Sequence, residues 1–335
     1  MSFRFVHLLL VVICLLAFPS SSPAPLVYRP GEGWVYEPVG GEAKWQRPRA
    51  KEQLEVAQAL FDRKAYSLAL RAARRVMQLW PTSDYGPQAQ YLVARCYEAD
   101  GELEKAFKEY QKLLEKQPKY ENLAEVRQRQ FQIANQYLAG KWFKFGGYLP
   151  YRSMTRTARM YAQIVKTGPY SDVAPQAQLS IGTAQEKQTI FFFKHPDYPE
   201  AIKAYDLAAD RYFDQPEVAA EAIFRAGLAY KEEAQSADRD RTTAGQAIAK
   251  FTDFMALYPD EPRVPDAQKL IASLRGEQAR GNFAIAQFYE KRKKWDGARI
   301  YYNEVLLQDP NSPYANSARQ RIDQLKQRPQ EGAAQ

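Results

Sequence analysis

With 335 residues, of which 45% are hydrophobic and 26% charged, the chain has ample apolar material for a folded body, which excludes disorder for most of its length. Its formal net charge of +8 makes a mildly basic surface that suits acidic partner patches or anionic lipid headgroups. Basic residues are interspersed with acidic ones, without the dense Lys/Arg run of a phosphate track, so nucleic acid is not expected as a partner.

In chain order, residues 1–24 read as a signal segment. Arg4 supplies a positive charge, and the apolar run from Phe5 to Phe18 is broken only by His7. The run is shorter than the ~20 residues of a membrane span, and small residues follow at Ser20, Ser21, Ser22 and Ala24. An uncleaved anchor is the competing reading. Cys14 invites lipidation, but lipoprotein cleavage wants a small residue before the cysteine, and Ile13 stands there. Cys14 also lies inside the apolar run, as an ordinary residue of it would. With the signal removed only Cys96 is left, so no intrachain disulfide is available.

Residues 25–48 are rich in Pro and Gly, with Trp34, Tyr36 and Trp45 among them, and read as an extended linker. Docking of the tryptophans on the first repeat is the alternative. From residue 49 to 328 helix-length segments alternate with short breaks, and a proline recurs where each second helix should end: Pro81, Pro118, Pro169, Pro259 and Pro310. Upstream of most of them stand a small residue and an aromatic. Ala106, Tyr110 and Leu113 precede Pro118; Ala247, Phe251 and Phe254 precede Pro259; Ala298, Tyr302 and Val305 precede Pro310. Looser copies are Ala158, Tyr161, Ile164 and Ala201, Tyr205, Ala208, Phe213. The alanine lets two helices approach, the aromatic fills the gap to the next pair, and the proline cannot continue a helix. These pairs resemble the tetratricopeptide repeat, whose period is about 34 residues. The expectation is an all-α solenoid of about six helix pairs, a capping helix over 314–326 and a disordered tail at 329–335.

Chemistry-bearing patterns are missing from the sequence. There is no phosphate loop, dinucleotide fingerprint, nucleophile elbow or calcium loop. One histidine outside the signal, His195, cannot make a zinc site with one cysteine. No enzyme, cofactor or metal is expected. Binding is expected instead on the concave face, where Gln58, Phe61, Tyr91, Arg95 and Glu98 should project from the first two repeats. Two aromatic insertions, Lys141–Tyr151 and Phe191–Pro196, break the repeat rhythm where a first helix hands over to a second. They either pack between lengthened helices or form an exposed patch for a partner or a membrane surface.

The last third adds a closer likeness. Residues 242–322 carry Thr-Thr-Ala-Gly-Gln-Ala-Ile-Ala-Lys-Phe, Tyr258-Pro259-Asp260, Gly281-Asn282-Phe283-Ala284-Ile285-Ala286 and Ala298-Arg299-Ile300-Tyr301-Tyr302-Asn303. This order resembles the BamD family, the helical component of the outer-membrane β-barrel assembly machinery. The resemblance implies a protein at the periplasmic face of the outer membrane. Its N-terminal repeats would receive unfolded barrel precursors. Its C-terminal repeats would dock the barrel insertase and other assembly subunits, with Arg299 and Tyr301 among the partner-binding residues. The family is lipid-anchored and usually has five repeats, whereas this chain reads as having more. A periplasmic adaptor for cell-wall or division machinery is the alternative function.

Overall fold

The computed structural model describes residues 26–29, 31, 33–36, 45–145, 148–190, 193–236 and 241–327. The expected signal, including His7 and Cys14, and the tail at 329–335 lie outside the described residues. Thirteen α-helices run through the described residues. They are α1 (Ala50–Asp62), α2 (Tyr66–Leu79), α3 (Gly86–Ala99), α4 (Leu103–Lys116), α5 (Leu123–Leu138), α6 (Met154–Thr167), α7 (Ala174–Glu186), α8 (Tyr198–Arg211), α9 (Pro216–Ser236), α10 (Arg241–Leu257), α11 (Val264–Lys291), α12 (Trp295–Gln308) and α13 (Ala315–Lys326). The chain divides into two compact units, one ending at Val126 and the other beginning at Arg127. In the first unit α1 packs on α2, α2 on α3 and α3 on α4; in the second, each helix from α6 to α13 packs on its sequence neighbour. Contacts limited in this way to near neighbours in sequence define an α-solenoid, here of six helix pairs and a terminal cap.

The small-then-aromatic pattern decides the packing. Ala106, Tyr110 and Leu113 are fully buried, as are Ala247, Phe251 and Phe254, and Ala298, Tyr302 and Val305. Opposite the aromatics the sequence places glycine: a Cβ at Gly182 would collide with the Tyr205 ring, and one at Gly227 would come within 2.8 Å of Phe251 Cε1. The buried tyrosine hydroxyls are not orphaned, as burial demands. Tyr110 OH donates to Glu98 Oε2 at 2.6 Å and Tyr302 OH to Glu290 Oε2 at 2.7 Å, the same relation in the second and sixth pairs. In the looser fourth copy Ala201, Tyr205 and Ala208 are fully buried, and Phe213 stands at the turn position that proline holds in the clearer copies. Phe213 is 75% exposed, while Tyr212 is buried and donates its hydroxyl to Pro169 O at 2.9 Å.

The turns repeat as well. Four first helices end in a left-handed residue, at Lys64 (φ 61°), Gly101 (φ 74°), Gly140 (φ 112°) and Lys293 (φ 59°). In each case the next amide reaches back across the turn: Ala65 N to Leu60 O, Glu102 N to Tyr97 O, Lys141 N to Gln136 O and Lys294 N to Tyr289 O. This closure satisfies carbonyls that a helix end leaves open. At the other end, Pro87, Pro175, Pro199 and Pro265 occupy the first turns of α3, α7, α8 and α11, where no amide donor is needed.

Three antiparallel hairpins were not foreseen as strands: β1 (Leu26–Arg29) with β2 (Gly33–Tyr36), β3 (Phe143–Phe145) with β4 (Leu149–Tyr151), and β5 (Thr189–Ile190) with β6 (Phe193–Lys194). The first corrects the extended-linker reading over its described part. Gly31 O accepts from Asp84 N at 3.0 Å and Ser83 Oγ at 3.3 Å, which ties the hairpin to the α2–α3 turn. The alternative of docked tryptophans holds for Trp45 alone. Trp45 packs on the core of α1–α3, and its carbonyl accepts from the buried Gln53 Nε2 at 3.2 Å, whereas Trp34 is 66% exposed.

Cys96 sits in the core of the first unit, where burial and then Asp100 push its thiol up to about 12. Because the thiolate is the reactive species, the folded chain should resist alkylation at neutral pH. Quantitative reaction of Cys96 with iodoacetamide before unfolding would contradict this environment; reaction only in denaturant is the expected result.

Candidate partner-binding surfaces

In the first unit the structure brings three of the expected residues together, Phe61 and Tyr91 around the guanidinium of Arg95. Arg95 lies on α3 with its Cζ 5.3 Å from the Phe61 ring centroid and 5.8 Å from that of Tyr91. Its Nη1 also donates to Tyr91 OH at 3.2 Å. The Tyr91 hydroxyl donates to Glu125 Oε1 at 2.5 Å, and its ring lies 5.9 Å from Tyr120 and 6.0 Å from Tyr110. Helix geometry explains the juxtaposition, since Tyr91 and Arg95 are one turn apart and share a face. The result is a partly exposed aromatic shelf with a cation held over it, in the manner of a cation–π contact. Burial, and after it the neighbouring Tyr91 and Glu125, raises the Tyr120 hydroxyl to about 12, so it remains a donor at any physiological pH.

Glu98 and Gln58 stand differently. Glu98 accepts from the buried Tyr110 hydroxyl, so one of its oxygens serves the repeat core. Gln58 is exposed and donates to Asp62 at 2.8 Å within its own helix, apart from the shelf. The repeat alignment could not show that Tyr110 would reach Glu98, because that bond needs the helices' separation.

In the second unit a cleft of about 780 Å³ opens between α10, α11 and α12. Tyr301 lines it, with Ile300 and Leu307, which are 58% and 74% exposed. Gln278 and Asn282 line the same cleft with amide oxygens that are buried and accept no hydrogen bond. Buried acceptors without donors carry a desolvation cost that an incoming N–H would relieve. Arg299 faces away, paired with Asp296 at 3.2 Å in the open. The cleft thus collects one of the two expected C-terminal residues, and Asn282 and Gln278 were missed. Nothing in the sequence marks a polar residue as lacking a partner.

Among the described residues no group of His, Cys, Asp and Glu is placed to hold a metal, and no helix is long and apolar enough to cross a membrane.

Helix pairs stacked on neighbours, small residues beneath aromatics and a proline after five of the six second helices make this a tetratricopeptide-repeat protein, and residues 88–120 match that repeat directly. Residues 149–309 match the YfiO family, described as outer membrane lipoprotein. The chain is a BamD-like tetratricopeptide-repeat protein. It is 26% identical over 130 residues to the outer membrane protein assembly factor BamD of Haemophilus influenzae, a match over 36% of this chain. The chain spans about half (49%) of the length of that relative. Among solved structures, the C-terminal part of a TPR repeat-containing protein from Cytophaga hutchinsonii is 14% identical, with a TM-score of 0.34 over 81% of this chain and 87% of that one. A thermophilic TPR protein from Thermus thermophilus is 15% identical, with a TM-score of 0.26 over 83% and 99%.

Proposed function

We propose that this chain is a non-catalytic scaffold of the outer-membrane β-barrel assembly machinery, acting at the periplasmic face of the outer membrane. The observation that carries the reading is the match of residues 149–309 to the outer membrane lipoprotein family, alongside the likeness to an assembly factor. On this reading the shelf of Phe61, Tyr91 and Arg95 receives unfolded barrel precursors. Barrel strands alternate apolar and polar side chains, and a surface that alternates rings with a cation complements such a segment. The cleft beside Tyr301 takes the insertase or another assembly subunit, whose apolar side chains would cover the exposed Ile300 and Leu307. Holding requires no bond to be made or broken.

A photoreactive residue in place of Tyr91 tests the reading in intact envelopes. Crosslinks to barrel precursors are the expected product. Recovery of cell-wall or division proteins alone would replace the scaffold with the adaptor.

A further inference from the structure

Interspersed charge holds for the chain as a whole but fails in one place. From Arg127 to Ser171 the sequence contains eight Lys and Arg and no Asp or Glu, as many charges as the entire formal net charge of +8. The β3–β4 hairpin lies within this stretch. Its base is anchored: Phe143 is 2% exposed, stacks on Tyr137 at 4.1 Å, and lies under the Arg156 guanidinium, whose Cζ is 4.6 Å from the ring centroid. Arg156 also donates to the Tyr151 hydroxyl on the neighbouring strand. Strand register puts Phe143 opposite Tyr151 and Lys144 opposite Pro150, so the anchoring pair and the Lys144 pair face opposite sides.

Around that base the hairpin exposes apolar area to solvent: Tyr148 is 91% exposed and Leu149 66% where β4 begins, and Trp142 is 48% exposed at the root, just before β3. Exposed cations surround them at Lys141, Lys144 and Arg152, and Arg152 Cζ sits 5.3 Å over the Trp142 ring. From these observations we infer that the β3–β4 hairpin is a peripheral membrane contact that seats Trp142, Tyr148 and Leu149 at the surface of an anionic phospholipid bilayer. The shape argues for a bilayer over a peptide. Side chains as exposed as Tyr148 and Leu149 have little neighbouring surface on which to hold a peptide backbone, whereas tyrosine and tryptophan partition to the headgroup level of a membrane. The charge argues the same way. A long acid-free stretch makes a diffuse positive field suited to a sheet of phosphates, where an acidic peptide would be met by a few paired cations. The inference stands apart from the scaffold reading and survives its failure.

The test is co-sedimentation of the full chain with vesicles of phosphatidylglycerol and phosphatidylcholine, set against vesicles of phosphatidylcholine alone. Any contribution of the apolar N-terminal run is shared by all variants and by both vesicle types. The expected result is a preference for the anionic vesicles that falls about tenfold or more in Lys144→Glu, and by a similar factor in Tyr148→Ser/Leu149→Ser. All three side chains are exposed, so unchanged circular dichroism should accompany the loss. Equal binding to both vesicle types, or a preference untouched by either variant, overturns the inference. So does a polyglutamate peptide that binds as tightly as the vesicles and is insensitive to Tyr148→Ser/Leu149→Ser, since that result assigns the cations to an acidic protein.

Discussion

Phe251→Ala should destabilise the second unit by about 3–5 kcal/mol, the cost of emptying a fully buried aromatic site. Phe251 lies between α9 and α10 with Phe224 at 5.6 Å, and its ring edge fills the space left by Gly227. The reverse change, Gly227→Ala, puts a methyl 2.8 Å from that ring and should cost roughly 1–3 kcal/mol by overpacking. Since the two substitutions act on one contact, they should not add. In the double variant the new methyl occupies part of the vacated volume, and the total should fall short of the sum by about 1 kcal/mol. Denaturant unfolding of the four proteins, with hydrogen exchange read on α9 and α10, measures the cycle. Strict additivity would mean that the glycine is not there to admit the ring.

Glu221→Gln should have the next largest effect, roughly 1–3 kcal/mol at neutral pH, after allowance for the solvent that still reaches the cluster. Glu221 on α9 pairs with Arg225 one turn along and with Arg263 in the α10–α11 turn. Arg263 also grips Glu261 and lies 4.9 Å from the Phe224 ring centroid, while Arg225 donates to Thr183 on α7 at 2.7 Å. One carboxylate therefore links two helices and a turn. Burial alone would push its pKa upward, but Arg225 and Arg263 outweigh burial and hold the carboxyl below the ordinary value of 4.5. A carboxyl depressed in the folded state contributes stability above its unfolded value and loses it as pH falls through the folded one. The gap between the parent and Glu221→Gln should therefore be full near neutrality and close below about pH 4.5. Glu261, held down first by its hydrogen bonds from Arg263, titrates in the same direction in both proteins. A gap that stayed constant down to acid would show that the glutamine costs packing and not charge.

The repeat body was legible because deep burial dictates residue type. Only a small residue fits beneath Tyr205 or Phe251, and only a break fits after α4 or α10, so alanine, glycine, aromatics and proline recur at fixed offsets. The hairpins were not legible for a matching reason. β3 and β4 are three residues each, and period-two alternation has no length in which to appear. Lys144 and Pro150 would not mark a strand in any propensity scale. For the insertion at Lys141–Tyr151 both sequence readings turn out to describe part of it, since Phe143 packs inward while Trp142, Tyr148 and Leu149 face solvent. At the shelf, spacing along α3 was enough to pair Tyr91 with Arg95. The Glu98–Tyr110 bond and the open oxygens of the cleft depend on distances between helices, which one sequence does not encode visibly.

The β3 insertion also says how such a chain acquires new contacts. Gly140 closes α5 with the same backbone turn that Gly101 and Lys293 use where no strands follow. The hairpin starts only after that closure, and its antiparallel strands bring the chain back close to where it departed. The helix pair on either side therefore experiences a short connection, however much is added beyond it. A lineage can lengthen, recharge or exchange this finger by insertion at one edge, with the interlocked tyrosines and glycines of the stack left under their own separate selection.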